Sequence, residues 1–182
     1  LASNSPRRKE LLSGLGICYE VKTLPGIEES YPDTLSGEEI PVFIACEKAD
    51  AYRQTMHSDE LIITADTIVW LDGLVMGKPE DEEDASRMLR CLSGKTHQVI
   101  TGVCLTTTEF QKSFATVTDV TFAELTEEEI DYYVQKYKPM DKAGSYGIQE
   151  WIGFVGVEGI TGSYFNVMGL PIQRLYKEIS KL

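Results

Sequence analysis

Asp66 is a carboxylate inside an otherwise apolar stretch, and its surroundings point to chemistry. The residues around it read Ile-Thr-Ala-Asp-Thr-Ile-Val at 63–69. A buried charge costs free energy unless a partner offsets it, and such carboxylates are enriched in active sites as general bases or metal ligands. We therefore predict a catalytic role for Asp66. The alternative is a turn capped by Asp66 where the strand breaks, which would bring Thr67 toward the same cleft.

The segment Ser5-Pro6-Arg7-Arg8 has the residue types of a phosphate site. Ser5 is a typical helix N-cap residue, and Pro6 suits the first helical position. The start of a helix presents free N–H groups and the positive end of the helix dipole, which attract phosphate. Arg7 and Arg8 would add charged donors. The alternative is an ordinary helix cap with two surface arginines.

Three lysines and two adjacent glutamates are further candidates. Lys48, Lys78 and Lys142 lie beside apolar stretches, and a lysine ammonium is a point charge suited to phosphate oxygens. Glu28 and Glu29 lie together in a predicted loop, where their oxygens could bind a divalent cation. Taken singly, each of these side chains is also explained as a solvated surface charge.

The stretch Lys-Ala-Gly-Ser-Tyr-Gly-Ile-Gln at 142–149 combines two glycines with an amide. Gly144 and Gly147 would let the backbone approach a ligand closely, and Gln149 offers a donor and an acceptor on one side chain. A glycine-rich turn without a ligand is the alternative. The chain contains no G-x-x-x-x-G-K-[ST], G-x-G-x-x-G or G-x-S-x-G motif, which excludes the common phosphate loops and the serine nucleophile elbow.

Apolar residues at helical spacing predict the helices that would carry these side chains. The start of the second helix is ambiguous. Ser36 and Glu39 resemble a capping box, but a helix that begins there would contain Pro41, which removes a hydrogen bond from a helix interior. The predicted helices cover 6 to 14 or 16, 40–55, 81–92, 126–136 and the residues after 171.

Alternating or β-branched apolar runs predict the strands. An Asp-Gly pair at 72–73 predicts a hairpin turn after the buried run that holds Asp66. Helices that alternate with strands indicate an α/β fold, and the long hairpin predicted over 97–123 argues against an all-parallel sheet. Without repeats or long linkers, one domain over 1–182 is the simplest organisation. The predicted strands are 17–23, 61–70, 97–107, 113–123 and 151–157.

The 182 residues carry a net charge of −12, from 29 acidic and 17 basic side chains. This balance argues against a general nucleic-acid binder and against an anionic membrane surface as the partner. No apolar run approaches the roughly 18 residues of a membrane span. The four cysteines form no C-x-x-C pair, and His57 and His97 lack a metal-ligand pattern. We therefore expect reduced thiols, structural or surface histidines and a cytoplasmic protein.

Motifs in order along nearly the whole chain resemble the Maf family of nucleoside triphosphate pyrophosphatases. They are LASNSPRRKELL, the Glu28-Glu29 loop, EKADA, TADTIV, GKPEDEEDASRMLRCLSGKTHQVITGV, DKAGSYGIQ and GSYFNVMGLP. The resemblance implies an α/β fold with a long, mixed, twisted sheet flanked by helices and two lobes around a cleft, similar to inosine triphosphate pyrophosphatases. It also implies hydrolysis of nucleoside triphosphates to the monophosphate and diphosphate with a divalent cation, Mg²⁺ or Mn²⁺. A homodimer is compatible with it.

The resemblance also assigns roles to individual residues. Asp66 takes the position of the proton acceptor and, together with Glu28, of the metal ligands. Arg7, Thr67 and Gln149 take the positions that set base specificity. The positions that handle the phosphates fall on Ser5, Arg7, Arg8, Lys48 and Lys78, so Arg7 has both roles.

Two motifs bear on the preferred base. Ala-Asp-Thr at 65–67 and Tyr-Gly-Ile-Gln at 146–149 resemble the branch that hydrolyses dTTP and UTP, whereas a branch with glutamate at the Gln149 position prefers 7-methyl-GTP. The edge of uracil or thymine presents acceptor, N3–H donor and acceptor, so one carboxamide matches a neighbouring pair. A guanine edge presents two donors, which suit a carboxylate. An unpaired buried group costs about 1–3 kcal/mol, or roughly tenfold to hundredfold in discrimination.

Two other functions stay open from the sequence. The same site could act on modified or purine nucleotides instead of serving as a house-cleaning enzyme for dTTP and UTP. Alternatively, the chain could be a nucleotide-binding regulator of cell division, a role suggested by the family's association with septum formation. Product analysis separates these functions, because a binding protein would leave UTP intact in the presence of Mg²⁺ or Mn²⁺.

Overall fold

The structure is a computed structural model that describes residues 1–182, with seven α-helices and five β-strands. Helices are interleaved with single strands and strand pairs along the chain, which confirms the mixed α/β class. None of the seven helices combines the length and the apolar composition that a membrane span needs. The helices are α1 (Pro6–Ser13), α2 (Glu39–Arg53), α3 (Glu82–Leu92), α4 (Glu127–Tyr137), α5 (Trp151–Gly156), α6 (Tyr164–Met168) and α7 (Ile172–Ile179), and the strands are β1 (Ile62–Leu71), β2 (Leu74–Met76), β3 (Thr96–Thr106), β4 (Gln111–Phe122) and β5 (Val157–Thr161).

The five strands form one sheet in the order β2-β1-β3-β4-β5, with β1 antiparallel to β2 and β4 antiparallel to β5. The predicted hairpin turn between β1 and β2 is confirmed. Asp72 and Gly73 both adopt positive φ angles, of 51° and 83°, as the right-handed twist of a two-residue hairpin requires. β1 is buried on both faces except at Thr67 and Trp70, which explains why most of its residues are apolar.

The chain divides into two compact units. The first contains residues 1–67, 100–116 and 169–182, and the second contains residues 68–99 and 117–168. Each unit carries part of the predicted site.

In the first unit, α2 lies directly on β3 at Gly102. A Cβ atom at position 102 would stand 2.3 Å from the carbonyl carbon of Pro41, so only glycine fits there. The buried face of α2 includes Ala45, whose carbonyl accepts a 2.7 Å hydrogen bond from the Thr64 hydroxyl of β1. These contacts set the position of the helix face that carries Lys48.

The structure resolves the ambiguous start of α2. The helix begins at Glu39, so Pro41 lies in its first turn, where a backbone N–H would have no partner within the helix. Half of the predicted capping box is present, because the Glu39 carboxylate accepts a 3.0 Å hydrogen bond from the backbone N–H of Ser36. The proline is therefore compatible with the helix without breaking it.

The second unit has an aromatic core around His97. The His97 ring meets the edges of Phe122 and Tyr146 at centroid distances of 5.2 and 5.4 Å, and its Nε2 lies 2.6 Å from the Tyr146 hydroxyl. His97 is thus a structural histidine, as the sequence indicated.

The predicted capping box of α4 is confirmed, because the side chains of Thr126 and Glu129 each bond the backbone N–H of the other.

Two predicted strands are wrong. Residues 17–23 form no regular secondary structure, and the alternating side chains Ile17 and Val21 are exposed, so no buried face rewards strand formation. The apolar run over 151–157 is helix α5 up to Gly156, and β5 begins only at Val157, opposite Phe122 of β4. Short apolar runs do not distinguish a buried helical turn from a strand.

Candidate active site

In the first unit, α2 and β1 bring Lys48 and Asp66 together. The Lys48 ammonium lies 2.9 Å from Asp66 Oδ1, and the two side chains are only 13% and 12% exposed. The ammonium offsets the free-energy cost of burying the carboxylate. Asp66 lies within the strand, so the alternative of a turn cap is wrong. The carboxylate is held by a cation and has a second oxygen with which to accept a proton.

A second carboxylate reaches the same ammonium. Glu29 Oε1 lies 2.8 Å from the Lys48 nitrogen, and its side chain is about half exposed. The neighbouring residue, Glu28, is exposed and lies at the wall of a cavity of about 860 Å³ between the loop and the outer face of α2. The structure thus adds Glu29 to the cluster and places Glu28 beside it in the loop.

Two carboxylates lie around the Lys48 ammonium. Asp66 and Glu29 each place an oxygen within 2.9 Å of one nitrogen, and carboxylate oxygens are the ligands that Mg²⁺ and Mn²⁺ prefer. No group of three or more His, Cys, Asp or Glu side chains is arranged to hold a metal ion. A magnesium ion bound here would complete its shell with water and substrate phosphate, as is usual for this ion.

The N-terminus of α1 has the predicted cap. Ser5 is the N-cap residue, its hydroxyl accepts from the backbone N–H of Arg8, and Pro6 occupies the first helical turn. The backbone N–H of Ser5 in turn donates to the Ser3 hydroxyl at 3.2 Å. Arg7 is half-buried on this helix. The helix end thus has the charge and donors of an anion site.

Arg8 turns into the protein. Its Nε donates to the carbonyl of Gly169 at 2.8 Å, Nη1 to the carbonyl of Ala65 at 2.9 Å and Nη2 to the Thr67 hydroxyl at 3.0 Å. Burial lowers the pKa of Arg8, and the nearby carboxylate of Asp66 acts in the opposite direction. Because adjacent helical side chains diverge by about 100°, Arg7 and Arg8 face different surroundings.

The Thr67 hydroxyl is shared by several groups. It lies 2.9 Å from the hydroxyl of Thr101, a fully buried residue of β3. It also lies 3.4 Å from the carbonyl of Gly169. Nothing in the sequence around Thr101 or Gly169 indicated that these residues contact Thr67, because both are far from it along the chain.

In the second unit, the loop 142–149 is tightly held. Gly144 has a φ of 68°, and a Cβ there would lie 2.7 Å from a methyl of Val69. Its backbone N–H donates to the carbonyl of Gly77 at 3.0 Å. Lys78, which follows Gly77 in the chain, is exposed. Gly144 is required both for the backbone conformation and for the close approach.

Gln149 combines a fixed backbone with an unused acceptor. The Tyr133 hydroxyl donates to Glu150 at 2.9 Å and accepts from the backbone N–H of Gly147 at 3.0 Å, so the residues around Gln149 are held in place. The Oε1 atom of Gln149 is buried and has no hydrogen-bond partner. Buried acceptors are nearly always paired, so this oxygen is open to a donor that the protein itself does not supply. Tyr133 and Glu150 were not predicted from the sequence.

Comparison with known families gives a match over residues 1–182 to the model described as Maf-like protein. The chain belongs to the Maf-like family. A curated Maf-like relative from Phocaeicola vulgatus, named dTTP/UTP pyrophosphatase, is 80% identical over all 182 residues, which cover 94% of its length. Relatives of the same name from Bacteroides fragilis and Porphyromonas gingivalis are 71% and 55% identical, over 100% and 98% of this chain and 94% and 91% of their own.

The predicted site residues of this Maf-like chain are divided between the two units. Direct contacts join the side chains of Lys48 and Asp66 and those of Arg8 and Thr67. All four belong to the first unit, as do Ser5, Arg7 and Glu28, whereas Lys78 and Gln149 belong to the second.

Proposed function

We propose that this Maf-like protein is a nucleoside triphosphate pyrophosphatase that hydrolyses dTTP and UTP to the monophosphate and diphosphate. The observation that carries the proposal is the buried carboxylate of Asp66, held 2.9 Å from the Lys48 ammonium. Full-length relatives at 55–80% identity are named dTTP/UTP pyrophosphatase. Removal of surplus nucleotides from the cellular pool is the corresponding biological role.

The reaction begins with a water molecule bound to Asp66. The carboxylate accepts a proton as the water oxygen attacks the α-phosphorus, and the bond from that phosphorus to the bridging oxygen breaks. Diphosphate leaves with its charge stabilised by cationic side chains, for which we propose Arg7, Lys48 and Lys78. Lys48 uses two of its ammonium protons for Asp66 and Glu29, which leaves one for phosphate.

A divalent cation held by Asp66 with Glu28 or Glu29 would neutralise charge on the triphosphate. We therefore expect excess EDTA to abolish diphosphate release, and added Mg²⁺ or Mn²⁺ to restore it. Measuring UTP turnover before and after chelation checks this. Undiminished turnover in EDTA would rule out the cation requirement.

Gln149 is the proposed reader of the base. Its unpaired Oε1 would accept from the N3–H of uracil or thymine, and its amide N–H would donate to a neighbouring carbonyl. Arg7 and Thr67 are the other proposed specificity residues. A cytoplasmic location agrees with the nucleotide substrate and with the four free cysteines, since a reducing compartment keeps thiols unpaired.

The deciding experiment is product analysis. The purified protein is incubated with UTP, dTTP, CTP, GTP and 7-methyl-GTP in the presence of Mg²⁺ or Mn²⁺, and monophosphate and diphosphate are quantified. We expect UTP and dTTP to have the highest kcat/KM of the five nucleotides. Each should give monophosphate and diphosphate in equal amounts. Binding of UTP without cleavage would replace the proposal with a nucleotide-binding role, and preference for 7-methyl-GTP would overturn the base assignment.

A further inference from the structure

The Arg8 side chain is hydrogen-bonded to the residues on both sides of Asp66. Within the first unit, its guanidinium donates to the carbonyl of Ala65, which precedes Asp66, and to the hydroxyl of Thr67, which follows it. The third donor, Nε, is bonded to the carbonyl of Gly169. Three of the five N–H groups of the side chain are therefore used by the protein itself.

The surroundings of Arg8 are built to receive it. Gly169, whose carbonyl accepts from Arg8 Nε, has a φ of 121°. Residues with a side chain rarely adopt this conformation. Thr101, which is fully buried, places its hydroxyl 2.9 Å from that of Thr67. The guanidinium, the two hydroxyls and the two carbonyls form one network, and Asp66 lies between two of its attachment points.

We propose that Arg8 is a positioning residue, which orients Asp66 and Thr67 through β1. The inference rests on the proposed function. Each of the three nitrogens of the Arg8 guanidinium already donates to an acceptor of the protein itself. Loss of Arg8 should therefore disturb the geometry of proton transfer more than it weakens nucleotide binding.

The test compares Arg8→Gln with Arg7→Gln. Steady-state kinetics on UTP give kcat and KM, and calorimetry with the non-hydrolysable analogue α,β-imido-UTP gives Kd without turnover. We expect Arg8→Gln to lower kcat about 10- to 100-fold, because small displacements of catalytic groups have effects of this size, with Kd within about twofold of the parent. Arg7→Gln should weaken Kd about tenfold or more. A similar loss of affinity in both variants would overturn the inference.

A second pair keeps the test valid if Arg8→Gln does not fold. Thr101→Val removes the hydroxyl that meets Thr67, and Thr101→Ser keeps it. We expect Thr101→Val to lower kcat several-fold with little change in Kd, and Thr101→Ser to retain parental kcat. Parental kcat in a folded Thr101→Val protein would overturn the network. If the parent releases no diphosphate, the proposed function fails, and calorimetry with the analogue on the Arg7 and Arg8 variants still decides which arginine contacts phosphate.

Discussion

Asp66 and Lys48 show how a charge comes to lie in an apolar strand. Removing one partner of a buried ion pair leaves the other uncompensated and is strongly destabilising. Here, however, the Lys48 ammonium also contacts Glu29, 2.8 Å away. Neutralising Asp66 therefore leaves Lys48 with a partner, and the carboxylate can be tested without unfolding the protein.

We expect Asp66→Asn to fold and to lose kcat by a factor of about 10²–10⁴, the usual contribution of a general base. Asparagine keeps the shape of the side chain but loses its charge and basicity. Initial rates of diphosphate release from UTP measure the loss, and circular dichroism checks the fold. The exposed Asp59 supplies the control, since Asp59→Asn should retain full activity. Near-parental activity of Asp66→Asn would contradict the catalytic assignment.

Gln149→Glu should change the base preference. The carboxylate loses the amide donor and adds a negative charge near an anionic substrate, so kcat/KM for UTP and dTTP should fall about tenfold to hundredfold. Guanine presents two donors to the new carboxylate, so the ratio of UTP to GTP activity should fall even if total activity drops.

The matched control for this change is Gln135→Glu, which adds the same charge at an exposed position of α4. It should leave the ratio of kcat/KM values for UTP and GTP unchanged. An unchanged ratio in Gln149→Glu as well would show that Gln149 does not read the base.

At the scale of elements, local signals were predictable from the sequence and distant contacts were not. Asp66 stands out because a charge in an apolar run is visible locally, and the cap at Ser5 and the turn at 72–73 have local residue preferences. The orientation of the Arg8 side chain depends on acceptors as distant in sequence as Gly169. The hydrogen bonds of Tyr133 depend on the loop that follows α4. No periodicity or spacing encodes such partners.

Helix α4 offers a measurement of one local signal. Thr126→Ala removes the side-chain acceptor of the capping box, and we expect the free energy of unfolding to fall by about 1 kcal/mol. Urea denaturation measures the change. Thr34→Ala, at an exposed loop position, is the comparison and should be within the error of the parent. Equal stability of both variants would mean that the capping box contributes nothing measurable.

For the whole molecule, His97 links stability to pH. Burial lowers the pKa of His97 from 6.5 to about 4, so the folded chain binds this proton less readily than the unfolded chain. The unfolded state then carries the extra proton between these two values, and stability is fully present above pH 6.5 and is lost as the pH falls toward about 4.

The expected slope from this one group is at most about 1.4 kcal/mol per pH unit. Denaturation between pH 7 and pH 5 measures it, before most carboxylates begin to titrate. His97→Gln should flatten the dependence, even if the variant is less stable at pH 7, whereas the exposed His57 should have no such effect when changed to Gln. An equal slope in both variants would assign the pH dependence to other groups.

The contact between Gly102 and Pro41 has a consequence for chimeric proteins assembled from related genes. A Cβ atom at position 102 would lie 2.3 Å from the carbonyl carbon of Pro41. The two positions are far apart in the sequence but must fit each other in the fold. A crossover between them can join a helix from one parent to a strand from another that carries a larger residue. We expect functional clones in such a library to inherit the two positions together, or to retain glycine at 102 from every parent.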